Sequence, residues 1–159
     1  MCGRYALNIS GEDLAVEFAA GVPNSALTAS NWNISPTTPI PFIAADNQAG
    51  DARQIHMARW GLIPSWAKDA TRQSNAINAR VESIAEKPTF KSAFRSRRCL
   101  IPATGYYEWA TELGQYKPKQ PFISQMKIRA QLPSLVFMKS GLTPKHPHQL
   151  PPLPLLPER

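Results

Sequence analysis

PIPFIAADNQAGDARQIHMARW, residues 39–60, decides the fold class. Two runs rich in apolar residues, Pro39 to Ala45 and Arg53 to Trp60, flank the turn-rich Asp46-Asn47-Gln48-Ala49-Gly50, and this arrangement predicts a β-hairpin. Upstream, Ser10 with Asp13 has the form of a helix cap, Leu14 and Phe18 lie one turn apart, and Gly21 followed by Pro23 supplies a stop. Gly11 to Ala20 therefore reads as a short amphipathic helix. Downstream, Val81 to Glu86 and Thr89 to Phe94 read as helical pieces broken at Pro88, and Arg98 to Ile101 and Gly105 to Trp109 read as strands. Strands interspersed irregularly with short helices point to an α+β domain rather than to repeated βαβ units.

The 159 residues amount to one domain with room for a sizeable core. The opening MCGRYALNIS lacks the basic region and long apolar stretch of a secretory signal, and nothing is apolar enough to span a membrane, so the expected compartment is the cytoplasm. With only two cysteines, Cys2 and Cys99, there is no disulfide framework and no Cys/His cluster with metal-ligand spacing, and the pattern asks for no cofactor. Cys99, within RRCLIP, reads as a small buried hydrophobe.

The net charge of +7 suggests a polyanionic partner. From Ser124 onward five cations face one acid, which leaves +3 for residues 1–123. Within that part Lys87, Lys91, Arg95, Arg97 and Arg98 cluster with only Glu86 beside them, either as a phosphate-facing patch or as a solvated helix face. The composition changes after about residue 123. Seven of the sixteen prolines fall between Pro133 and Pro157, and residues 124–159 contain no Asp, Asn, Tyr or Trp. Residues 1–123 are thus expected to form the domain, and 124–159 a disordered Pro-rich tail or an aberrant one left by a reading-frame slip.

Cys2 stands out chemically. Removal of Met1 leaves an α-amine and a thiol on adjacent carbons, a pair that condenses with an aldehyde to an imine and then closes a thiazolidine ring. Free α-amines and thiols titrate at about 8 and about 8.5, so a modest local shift makes both nucleophilic near neutral pH. Glu108, flanked by Tyr107 and Trp109, reads either as a general acid or as a surface strand residue. Asn78 offers an amide to an amine or a sugar, or simply caps a turn. Arg4 and Arg80 carry the five-donor fork suited to phosphates, or are ordinary surface arginines. Trp60 and Trp66 bracket a loop containing Gly61 and Pro64; Trp66 is expected to face a base and Trp60 the core.

Taken in order, Met1-Cys2-Gly3-Arg4-Tyr5, Trp32-Asn33-Ile34-Ser35-Pro36, Trp60-Gly61-Leu62-Ile63-Pro64-Ser65-Trp66, Ile77-Asn78-Ala79-Arg80-Val81-Glu82 and Gly105-Tyr106-Tyr107-Glu108-Trp109 resemble the SRAP family, the SOS-response-associated peptidases. The resemblance covers roughly residues 1–123. It implies a curved, barrel-like, mainly antiparallel sheet with short flanking helices, and Cys2 as the mature N-terminus, exposed by self-cleavage or by an aminopeptidase. It further implies capture of abasic sites in single-stranded DNA through a thiazolidine cross-link. Cys2, Asn78 and Glu108 would be the catalytic residues, and Arg4, Arg80 and Trp66 the DNA-binding ones, in a monomer associated with the nucleoid if bacterial.

One departure stands against this. The family's downstream His-x-Arg-x-Pro segment is absent: His146 and His148 do not match it, and His56 lies in an expected strand. The later strands that would complete the sheet are also expected to be missing. Two alternatives follow: a noncovalent single-stranded DNA-binding module, or an inactive fragment of such a protein.

Overall fold

The computed structural model describes residues 3–22, 30–46, 52–64, 66–67, 76–110, 119–125 and 134–137. Two sheets carry the chain. Strands β4 (Pro39–Asp46) and β5 (Ala52–Arg59) form the expected hairpin in unbroken antiparallel register from Pro39↔Arg59 to Asp46↔Ala52. They sit in a five-stranded sheet of order β2-β5-β4-β6-β9, with β2 (Ala20–Gly21) parallel to β5, β6 (Arg98–Ile101) antiparallel to β4, and β9 (Ser134–Phe137) on the outer side of β6. The second sheet has the order β3-β1-β7-β8, all antiparallel: β1 (Tyr5–Leu7) lies between β3 (Asn31–Ile34) and β7 (Gly105–Trp109), and β8 (Pro121–Gln125) flanks β7. The α+β class is as expected; the described residues form two sheets, with no closed barrel.

The boundary expected at residue 123 falls inside β8, and β9 lies wholly beyond it, pairing with β6 from Arg98↔Phe137 to Ile101↔Ser134. Residues 138–159 lie outside the described residues. Gly105 lets β8 approach β7, since a Cβ there would stand 2.9 Å from the Ser124 carbonyl oxygen.

Helix α1 (Gly11–Phe18) starts as its sequence dictates: the Ser10 hydroxyl accepts from the Asp13 N–H at 3.0 Å, and Leu14 is buried. It stops earlier than expected. Ala19 adopts the left-handed conformation (φ 48°), which turns Ala20–Gly21 out to pair with β5, so Gly21 is a strand residue rather than the helix stop. Helix α2 (Pro88–Ser96) begins at the proline expected to separate the two helical pieces, because a residue without an N–H is tolerated in the first turn, where that donor has no intrahelical partner. The helical reading of Val81 to Glu86 is replaced by successive turns, with Ser83 N–H to Arg80 carbonyl at 3.2 Å and Lys87 N–H to Ser83 carbonyl at 3.0 Å.

The main core draws on both sheets: Tyr5, Leu7 and Ile34 from one, Ile40, Ile43, Ala44, Ile55, Cys99 and Ile101 from the other, together with Leu14 and Trp60. Each large aliphatic side chain so buried contributes about 1.5–3 kcal/mol. Cys99 is buried as expected. A second cluster joins Leu62 to Phe90 and Ala93 of α2, with Ala76, Ile84 and Phe94 packed against it. Among the described residues no helix is long and apolar enough to cross a membrane.

Candidate functional site

The site is assembled around the start of β1. Tyr5 pairs with Tyr106, and the Tyr107 N–H donates to the Arg4 carbonyl at 2.9 Å, which carries the β1–β7 ladder one residue past the strand, to Arg4. Opposed residues share a face and neighbours along a strand alternate. Glu108 therefore shares a face with Tyr106 and Tyr5, the face toward the core, while Arg4 and Tyr107 look out the other way. Glu108 is half-buried there.

Trp60 fixes what stands next to that inner face. Its ring meets Tyr5 edge-on, with centroids 5.4 Å apart and planes at 69°, and its indole N–H donates to the Ile77 carbonyl at 3.2 Å. Leu62 N–H donates to the Ala76 carbonyl at 3.0 Å. These contacts hold the segment before Asn78 to the Tyr5 side of the sheet, the side Glu108 faces. Asn78 itself is exposed, as is Arg80 two residues on.

The outer face carries a different set. The Arg4 guanidinium donates to Asn33 Oδ1 at 3.0 Å, Asn33 N–H donates to Asn31 Oδ1 at 2.8 Å, and the Tyr107 hydroxyl donates to the Trp32 carbonyl at 2.8 Å. Arg4 and Glu108 thus lie on neighbouring strands but on opposite faces. Trp60 is buried, whereas Trp66 is 66% exposed on the loop that follows Leu62, matching the expected division between a core and an outward tryptophan. Pro36 is half-buried in the turn after β3.

Cys2, the expected nucleophile, lies outside the described residues, as do His146 and His148. His56 stacks on Phe42 in the hairpin, with ring centroids 5.2 Å apart, away from the residues around Tyr5. Sequence reading assigned no role to Asn33, Tyr107 or the Trp60 indole N–H. All three fall inside the quoted motifs, and that placement was the available signal. Among the described residues no group of three His, Cys, Asp or Glu side chains comes together as a metal site.

The model of the SOS response associated peptidase (SRAP) family matches residues 1–147. The chain belongs to the SRAP family. Among its SRAP relatives, the abasic site processing protein YoqW of Bacillus subtilis is 35% identical over 147 residues, which cover 91% of this chain and 61% of the relative. The abasic site processing protein YoaM of the same organism is 40% identical over 111 residues, covering 69% of this chain and 47% of the relative. The abasic site processing protein HMCES of Xenopus tropicalis is 27% identical, covering 80% and 44%. The chain therefore spans between two-fifths and about three-fifths of these relatives' lengths. Among solved structures, a Bacteroides thetaiotaomicron protein shares the fold at a TM-score of 0.65 and 22% identity, over 79% of this chain and 55% of that one. A phage-related protein of Bordetella bronchiseptica superposes at a TM-score of 0.57 with 28% identity, over 77% and 54%.

Proposed function

We propose that this SRAP chain processes abasic sites in single-stranded DNA, capturing them covalently through Cys2 once Met1 has been removed. What carries the proposal is the bond from Tyr107 N–H to the Arg4 carbonyl: Arg4, two residues after Cys2 in the sequence, lies alongside the strand that carries Glu108. Names shared by relatives from a bacterium to a vertebrate add independent support.

The chemistry starts with hydrolysis of the Met1–Cys2 peptide bond, a self-cleaving peptidase step that frees the α-amine. Ring opening of the abasic sugar exposes its C1′ aldehyde, with Glu108 moving the proton at the ring oxygen. The amine adds to the aldehyde, and loss of one water gives the imine. Cys2 Sγ then adds to the imine carbon while its proton passes to nitrogen, closing the five-membered thiazolidine with no other leaving group. Asn78, held at its place by the Trp60–Ile77 bond, donates its amide N–H to the opened sugar. Arg4 and Arg80 hold flanking phosphates, and Trp66 stacks on a neighbouring base.

The test mixes the purified chain with uracil-containing single-stranded DNA treated by a glycosylase and resolves the products on a denaturing gel. A heat-stable conjugate is expected with the wild-type chain and none with Cys2→Ala; a conjugate that persists in Cys2→Ala overturns the proposal. Intact mass measurement of the wild-type chain is expected to show a species that begins at Cys2.

A further inference from the structure

We infer that the cationic stripe on α2 is a second nucleic-acid contact, a track for the phosphodiester backbone of the strand that flanks the captured site. Lys87, the residue preceding the helix, and Lys91 and Arg95 within it follow one another at four-residue intervals. Four residues of α-helix rise about 6 Å, so the stripe runs about 12 Å along one face, the length over which a stacked strand carries about four phosphates. All three side chains are exposed, and none makes an ion pair or side-chain hydrogen bond among the described residues. Glu86 is the acid beside the stripe in sequence, and it too is exposed. Three unneutralised cations in line are complementary to a polyanion.

The placement of α2 gives that partner a direction. The helix buries Phe90 and Ala93 against Leu62, Ala76 and Ile84. Leu62 and Ala76 are bonded to each other and belong to the two segments that carry exposed Trp66 on one side and Asn78 with exposed Arg80 on the other. The stripe lies on a face that this packing leaves free. The turns between Arg80 and Lys87, closed by Ser83 N–H to the Arg80 carbonyl and Lys87 N–H to the Ser83 carbonyl, join the Arg80 segment directly to the start of the stripe. The inference rests on the proposed handling of DNA for the strand's origin, while the stripe itself is read from charge, exposure and packing.

The experiment measures binding of the full chain to a fluorescent single-stranded oligonucleotide without abasic sites, by anisotropy over a series of salt concentrations. It compares wild type with the triple variant Lys87→Gln, Lys91→Gln, Arg95→Gln and with the charge-retaining Lys87→Arg, Lys91→Arg, Arg95→Lys. Each phosphate contact contributes about 0.7 to the salt slope on a single strand, so the neutral variant is expected to lose about 2 from the slope and on the order of tenfold in affinity at low salt. The charge-retaining variant is expected to match wild type, and circular dichroism is expected to be the same for all three. An unchanged slope in the neutral variant overturns the track. Conjugation to a short abasic oligonucleotide is read separately: if it survives Cys2→Ala, the covalent reading falls, whereas Cys2-dependent conjugation with an unchanged salt slope removes the track alone.

Discussion

The β4–β5 hairpin and the β1–β7 pair are both antiparallel, yet they are built in opposite ways. The hairpin pairs two eight-residue strands close together in the chain and buries Ile40, Ile43, Ala44, Ala45 and Ile55. In the other, a three-residue strand is joined to a partner about a hundred residues later by two register pairs, Tyr5↔Tyr106 and Ala6↔Gly105. The Thr104 hydroxyl, 98 residues from its acceptor, also donates to the Ala6 carbonyl at 3.2 Å. Local pairing builds the first and long-range pairing the second, and the candidate chemistry sits on the second.

That division can be broken from either side. Glu108→Gln is expected to keep the fold and slow conjugate formation by about a hundredfold or more, the size typical for loss of a general acid, read by quenching the abasic-DNA reaction over time. A wild-type rate in this variant would leave Glu108 a strand residue only. Ile43→Ala, in the middle of the hairpin, is expected to cost about 2–5 kcal/mol in denaturant unfolding while the surviving folded fraction keeps its conjugation rate. Trp60→Phe bridges the two regions: it retains a ring against Tyr5 but removes the bond to the Ile77 carbonyl. It is expected to cost about 1–3 kcal/mol and to slow capture more than Ile43→Ala does for the same loss of stability. Ser10→Ala removes the α1 cap, which belongs to neither strand pair, and is expected to cost about 1 kcal/mol with capture unchanged.

What the sequence disclosed follows the same line. The hairpin, the strands Arg98–Ile101 and Gly105–Trp109 and the start of α1 were legible because alternation, turn residues and caps act over a few positions. Gly21 was misjudged because its local meaning, a helix stop, is overridden by β5, which claims it as a strand residue; the break at Pro88 was legible, and what was missed is that the segment before it makes turns rather than a helix. The strand β2 is too short and β8 too polar to show a period, while β9 lies in the proline-rich stretch read as a tail; each pairs with an available sheet edge. At the candidate site, the motif residues were legible as residue types. That Arg4 and Glu108 face opposite sides, and that Trp60 sets the position of the Asn78 segment, were not, because sheet register is decided by the distant partner.

The central position of β1 in its sheet also governs when it can fold during synthesis. Its neighbour β7 is translated about a hundred residues after it, which at ordinary ribosomal speeds is an interval of about 5–20 s. Until then β1 has β3 to pair with but not β7, so the four-stranded sheet closes only once its most distant strands have been made.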